Sequence, residues 1–375
     1  MKKNCASHLV DPEAKKPLRL TPYRVEGEEI IEGVLAAAER WYPVLDGVPR
    51  ILLPESAGDY SDFAGKHKLI PQKGALERTT LPAEQQRTVD TFSDKWLRFQ
   101  NYGFEAAHQK FLFEWYQKKL GLNSFDELCR FYQHRRMILE VGPGSGFNTK
   151  FMAEHTQGQV FAADISEAAS VSYKNTRGLP NCHVIQADLS KLPFPDESFD
   201  LIMADGVLHH TPDTRAAVEA LYRKLAPGGD FFFYIYRRMG TVRRHCDEVI
   251  RGKFTQLSAG DCYKACEAFT NFGHELSKLN AKITLDKPID VLEIPAGTYD
   301  LQRLIHYYFM KCFWNDAFDY ETNNMVNFDW YHPAFAWQHR EEEVRAWLEA
   351  LGIAKFVFNH ANPNGLCVLL RKPER

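Results

Sequence analysis

The chain predicts an α/β fold in which a mostly parallel sheet carries helices on both faces and further elements attach at each end. Three observations predict it. From Met137 to Tyr236, short apolar runs alternate with helix-like segments in the βαβ manner of a parallel sheet. The first of those runs enters a helix through a glycine-rich turn, Gly142-Pro143-Gly144-Ser145-Gly146. The chain then closes with an amphipathic helix and two strand-like runs that read as a hairpin.

The strand runs are MILEV, QVFAAD, CHVIQAD, FDLIMAD and GDFFFYIY. Each is short and apolar and ends at Gly, Asp or a charged residue. Upstream, EEIIEGVLA and YPVLDGVPRILLP are strand-like, with Asp46-Gly47 as a hairpin-turn signal, so residues 1–60 read as a small β-rich module. Residues 61–90 are polar and rich in Gly, Pro, Gln and Lys, the composition of a surface linker. From Phe92 onward aromatic residues recur at helical spacings, which places helices ahead of the first core strand within a unit spanning 91–236. Residues 237–338 form an insertion after the fifth strand, and 339–375 end the core. In that last part, Val344, Trp347, Leu348 and Leu351 share one helix face and Gly352 stops the helix.

Composition bounds the function. The chain has 375 residues, 46 Lys plus Arg and 49 Asp plus Glu, a net charge of −3, which argues against a protein whose main task is gripping a polyanion. At 45% hydrophobic and 25% charged it is an ordinary folded protein. No run approaches the roughly 18 apolar residues of a membrane span, and MKKNCASHLV has no apolar core behind its basic start. The expected compartment is the cytoplasm. The eight cysteines lack a CxxC pair and are expected as free thiols; Cys262 and Cys266 share a helix face as packing residues.

Glycines at the end of the first strand let the backbone turn sharply beside a ligand, while the following helix start offers free N–H groups. The spacing is GxGxG, one residue short of a dinucleotide fingerprint. Asp164 ends the second strand, where a carboxylate can accept both hydroxyls of a ribose. Asp188 ends the third, placed to meet an exocyclic amino group, and Asp205 ends the fourth. Each alone can be a turn former or a helix cap. Together with the loop they describe a nucleoside pocket.

ILEVGPGSGFNTKFMAE, VFAADIS, VIQADLSKLPFPDESFDLIMADGVLHHTPD and LYRKLAPGGDFFFYIY resemble class I S-adenosylmethionine-dependent methyltransferases. The resemblance implies a Rossmann-like, seven-stranded methyltransferase sheet with an antiparallel final strand. It also implies S-adenosylmethionine as cofactor and S-adenosylhomocysteine as product. By position, Gly142, Gly144 and Gly146 pass under the methionine part, and Glu140 supports its ammonium group. Asp164 with Ile165 holds the ribose, Asp188 with the Leu189 backbone reads adenine, and Asp205 closes the set. The N-terminal EEIIEGVLAAAERWYPVLDGVPRILLPE is similar to a zinc-ribbon module that activates some RNA and protein methyltransferases. Its paired cysteines are missing here: Cys5 and His8 stand at one knuckle and Ala36, Ala37 and Ala38 near the other, so zinc is not expected.

Methyl transfer needs the acceptor lone pair aligned behind the methyl and, for O–H or N⁺–H acceptors, a base. Positioning is worth about 7 to 11 kcal/mol and a general base roughly 10²- to 10⁴-fold in rate. His209, His210 and Tyr236 are candidate bases, or else finish the strands they end, and His332 is a further candidate. Arg237 suits an anionic substrate, or solvent. Between Tyr299 and Trp337 there are 13 aromatics in 39 residues against 13% overall, which makes a helical, aromatic cap with a substrate pocket or an interface. Tyr307, Trp330 and His339, together with His306, are its polar handles. The spacing of His306, His332 and His339 matches no ligand signature, and no metal is expected.

The leading expectation is a methyltransferase acting at oxygen or nitrogen of a small molecule. The alternatives are a catalytically silent cofactor-binding subunit and an RNA or protein methyltransferase. Expected partners are the substrate and, through the N-terminal module or the cap, a second copy or another protein; membrane and nucleic acid are not expected.

Overall fold

Four strands open the chain: β1 (Arg19–Glu26), β2 (Glu29–Ala37), β3 (Arg40–Leu45) and β4 (Val48–Ile51), each antiparallel to the one before. They belong to a computed structural model that describes residues 1–37, 40–53, 59–70, 81–361 and 363–374. Leu45 pairs directly with Val48 across Asp46 and Gly47, whose φ values are +48° and +82°. Positive φ at both central residues is the turn that matches the twist of a tight hairpin. β1 carries no strand signal in sequence because nearly all of it is exposed and it contains Pro22, so apolar alternation is absent.

α1 (Ser61–Lys66) and α2 (Ala83–Arg98) lie within and beyond the stretch expected as a linker, whose residues 71–80 fall outside the described ones. α2 starts at Ala83 rather than near Phe92. Its first turns, AEQQRTVD, open with good helix formers but carry no apolar stripe, so periodicity misses them. α3 (Ala106–Leu120) and α4 (Phe125–Gln133) lead into the core.

The core alternates as expected: β5 (Met137–Val141), α5 (Phe147–His155), β6 (Gln159–Asp164), α6 (Ala168–Thr176), β7 (Cys182–Ala187), β8 (Phe199–Asp205), α7 (Thr214–Lys224) and β9 (Leu225–Tyr236). The insertion holds α8 (Thr241–Phe254), α9 (Ala259–Lys278), the two-stranded β10 (Lys282–Leu285) and β11 (Gly297–Asp300), then α10 (Leu301–Tyr308) and α11 (Tyr320–Tyr331). α12 (Glu341–Ala350), β12 (Lys355–Asn359) and β13 (Gly365–Arg371) finish the chain.

The large sheet runs β1-β2-β3-β4-β7-β6-β5-β8-β9-β13-β12. Its last seven members are the sheet the sequence predicts, with β13 antiparallel to β9. The count rises from seven to eleven because β4 lies parallel on β7, pairing Arg50 with Gln186 and Ile51 with Ala187. An uncovered β7 would present a row of unpaired N–H and C=O groups, and the N-terminal strands satisfy them. β13 enters between β9 and β12 because it is apolar on both faces, whereas β12 alternates and stays at the edge.

Side chains alternate across the sheet. Leu139 and Val141 join Val218, Leu221, Val344 and Leu348 on the face covered by α7 and α12. Ile138 joins Leu120, Leu128, Tyr132 and Met152 on the face covered by α3, α4 and α5. The insertion has its own core of Cys262, Cys266, Met325, Phe328, Trp330 and Tyr331, so both cysteines are packing residues. Among the described residues no helix is long and apolar enough to cross a membrane.

The chain runs from β5 outward through β6 and β7, then returns to place β8 on the other side of β5. At such a reversal the flanking connections leave in opposite directions and open a crevice above the strand ends. All the predicted acids stand at that edge.

Candidate active site

The β5–α5 turn forms the floor of the crevice. Gly142 has φ +66°, and a Cβ there would stand 2.3 Å from Val207 Cγ2; at Gly144, φ +57°, it would stand 2.5 Å from the Trp96 indole. Only glycine fits either place. Gly142 lines the cavity, while Gly144 and Gly146 stand behind it and let Trp96 and α6 pack close. α5 begins after Gly146, which has no side chain to cap it, and its first amide, Phe147 N, donates to the Ser145 hydroxyl at 3.3 Å.

Glu140 is buried, and both of its oxygens are held from α5: Asn148 Nδ2 donates to Oε1 at 2.7 Å and the Thr149 hydroxyl donates to Oε2. Burial raises its pKa to about 7 against these hydrogen bonds, with a smaller contribution from Asp205. Asp164 accepts at Oδ1 from the backbone N and hydroxyl of Ser166, at 2.8 and 2.6 Å. Burial again dominates and raises its pKa to about 6. Among the described residues no hydrogen bond reaches its Oδ2. Asp188 caps the turn Leu189–Lys191 by accepting from Ser190 N at 2.8 Å.

These residues line one end of a cavity of about 1060 Å³, at the top of the roughly 300 to 1,000 Å³ range of small-molecule sites. Ile165, Leu189 and Val207 supply its apolar sides. The opposite end is walled by Tyr236, Tyr307, Lys311, Phe313, Asp329 and Trp330.

Residues 139–233 match the family described as a methyltransferase domain. This is a class I S-adenosylmethionine-dependent methyltransferase domain. The chain is 26% identical over 145 residues to the rat "Arginine-hydroxylase NDUFAF5, mitochondrial", covering 39% of this chain and 42% of that protein. It is 34% identical over 115 residues to the "Uncharacterized methyltransferase YcgJ" of Bacillus subtilis, covering 30% and 44%. The chain thus spans less than half the length of these relatives. Among solved structures, a DhpI complex with S-adenosylhomocysteine aligns with a TM-score of 0.41 and 16% identity over 77% of this chain and 99% of that one.

S-adenosylmethionine is the cofactor of the methyltransferase domain, and the residues present fit it. Gly142 presents bare backbone to the cavity, with Val207 standing where its Cβ would be. Asp164, buried with Oδ2 unclaimed, suits a pair of ribose hydroxyl donors, and Asp188 faces the same cavity beside Leu189. Asp205 differs from expectation. It lines the cavity, but both its oxygens are taken by Lys119 Nζ at 2.6 and 2.7 Å, so it anchors α3 rather than waiting for a ligand.

The candidate bases divide. His210 lines the cavity and donates from Nδ1 to the Phe335 carbonyl at 2.7 Å, which leaves the Nε2 lone pair uncommitted. Burial lowers its pKa to about 3, so the ring is neutral at working pH. Tyr236 lines the cavity between His209 and Trp330, and burial holds its hydroxyl protonated. His209 is corrected: it is fully buried behind Tyr236, outside the cavity wall. His332 is corrected too. It stacks on Phe328 and bonds Thr91 and the Leu257 carbonyl, away from the wall, because it follows the last turn of α11 on the side facing α2.

Tyr307 and Trp330 line the cavity, the latter donating from Nε1 to Asp247 at 2.9 Å. Arg237 and His339 do not. Arg237 is exposed where β9 leaves the sheet, and His339 bonds Glu343 and Thr214 against Trp347. Sequence reading missed Trp96, Lys119, Arg303 and Lys311. The aromatic enrichment around Arg303 and Lys311 signalled a wall, but nothing in one dimension tells which helix face meets the crevice.

Proposed function

We propose that the protein transfers the methyl group of S-adenosylmethionine to an oxygen or nitrogen of a small-molecule acceptor. The observation that carries this reading is the continuity of the cavity. One space holds the nucleoside residues at one end and the aromatic cap residues at the other, and side chains of α2, α3, α10 and α11 surround the cap end. An acceptor must fit inside it.

The cofactor, when bound, supplies an electrophilic methyl group on a sulfonium. The chain's own residues then orient and exclude water. Gly142, Asp164 and Asp188 hold the donor; Phe92, Trp115, Tyr236 and Trp330 give the acceptor an apolar wall. His210 Nε2 accepts a proton from a neutral hydroxyl or amine, weakly, since its pKa is low. The larger share of the rate comes from alignment, worth about 7 to 11 kcal/mol against roughly 10²- to 10⁴-fold for a base.

On this reading residues 91–236 bind cofactor, 237–338 bind acceptor and 339–375 complete the sheet. Residues 1–60 act as a brace, with 61–90 connecting. Arg50 of β4 supports that role, since it donates to Gln186 at 2.6 Å and Gln186 in turn donates to the Ile165 carbonyl at 3.0 Å. Eight unpaired cysteines suit the cytoplasm. The test is calorimetry with S-adenosylhomocysteine followed by a product-release assay over small hydroxylated and amino compounds. Tight binding with turnover only on RNA or protein would overturn the small-acceptor reading.

A further inference from the structure

The cap end of the cavity is unevenly charged. Lys95, Arg303 and Lys311 reach its wall, whereas among the described residues the wall there holds one acid, Asp329. One of its oxygens is claimed, with Lys95 Nζ 2.5 Å from Oδ2, while Oδ1 finds no hydrogen-bond partner among the described residues. Directly behind, Arg243 binds both oxygens of Asp247, which also accepts from Trp330. The cluster therefore counts four basic side chains (Lys95, Arg243, Arg303, Lys311) against two acids (Asp247, Asp329), a surplus of two basic groups.

The surplus sits on Lys311 and Arg303. Lys311 is 5% exposed, lies 4.5 Å over the Trp330 ring, and forms no ion pair with any described residue. Arg303 rests 5.6 Å from the Phe313 ring, and its guanidinium likewise forms none. His306 belongs to the same wall. Asn364 Nδ2 lies 3.3 Å from its Nε2, so with the amide donating, the ring proton is at Nδ1, which finds no partner among the described residues. Burial keeps this ring neutral, as do the charges of Arg243, Lys311 and Arg303.

Unpaired cations in a buried space are costly unless something of opposite charge joins them. We infer that the acceptor carries an anionic group, a carboxylate or phosphate, on an apolar ring-bearing body, and that Lys311 and Arg303 hold that group while His306 adds a donor. The opposite end of the cavity is acidic through Asp164 and Asp188, so the charges also fix which way the acceptor enters. Burial first, then Arg243, lowers the Lys311 pKa to about 7, and an arriving anion would raise it again by favouring the charged form.

This rests on the cap end being the acceptor site, and its test separates that from the cofactor reading. The full chain is titrated with 3-phenylpropionate, 2-phenylethyl phosphate and the neutral 3-phenylpropanamide, with and without saturating S-adenosylhomocysteine. The nucleoside is titrated separately by calorimetry. At least one anion binds about tenfold or more tighter than the amide, and the stronger of the two identifies the group. Lys311→Met and Arg303→Met each cut that preference several-fold and leave the nucleoside affinity unchanged. Equal binding of amide and anions overturns the inference, as does a preference that survives both substitutions or an absence of probe binding. Failure to bind the nucleoside would count against the cofactor reading alone, because the probes are also titrated without it.

Discussion

Lys119, the penultimate residue of the aromatic helix α3, places its ammonium 2.6 and 2.7 Å from the two oxygens of Asp205 at the end of β8. The ion also lies 4.5 Å over Tyr234 on the neighbouring strand. One side chain thus ties α3 to the two strands that border the crevice, and both partners are largely buried.

Removing one member of a buried pair leaves the other uncompensated. Lys119→Met should lower unfolding free energy by about 3 kcal/mol, read as a shift in urea midpoint. Adding Asp205→Asn to it should recover part of the loss. Asp205→Asn alone should change nucleoside affinity less than Asp164→Ala does, since both Asp205 oxygens already accept from Lys119 whereas Asp164 Oδ2 is unclaimed among the described residues.

Asp164→Ala should weaken binding of S-adenosylhomocysteine by about 1.5 to 3 kcal/mol, roughly 10- to 150-fold, the worth of hydrogen bonds to a charged group. Calorimetry measures it directly. An unchanged affinity would remove Asp164 from the nucleoside site.

Glu140 gives a pH signature without any ligand. Its folded-state pKa of about 7 lies above the ordinary 4.5. Between those values the folded protein keeps a proton that the unfolded chain has lost, so stability falls as pH rises through the window and levels above it. Glu140→Gln should remove that slope, moving its urea midpoint upward relative to the parent between about pH 5 and about pH 7.5. Parallel curves would mean that Glu140 titrates normally.

Gly142 and Gly206 separate strain from crowding. Both have positive φ, +66° and +76°, but a Cβ at Gly206 meets nothing within 4 Å whereas one at Gly142 would strike Val207. Gly206→Ala should cost about 1 to 2 kcal/mol in stability from backbone strain alone. Gly142→Ala should cost more than that and lose nucleoside affinity as well. Equal costs in denaturation would show that Val207 yields freely.

Much of the cofactor half was legible because its signals are local. A strand ending in an acid is visible as a run and a residue, and the glycine turn announces a backbone that other residues cannot adopt. The two-residue turn at Asp46-Gly47 was readable for the same reason. β1 and the start of α2 were not, since an exposed strand and a polar helix carry no apolar period. The site assignments that moved, His209, His332, Arg237 and His339, sit at element ends, where the side to which a residue turns is set by neighbours far along the chain.

The sequence alone determined the alternation of strands and helices, the glycine loop and the acids at successive strand ends, because backbone preference and apolar period act over a few residues. Only the tertiary structure decided that β4 extends the sheet, that Lys119 claims Asp205, and that Lys311 and Arg303 share a wall with Trp330. Lys119 lies 86 residues from Asp205 in the chain, and Lys95 lies 234 from Asp329. Pairings at that range follow from how layers pack and which charges burial forces together, and no local pattern encodes them.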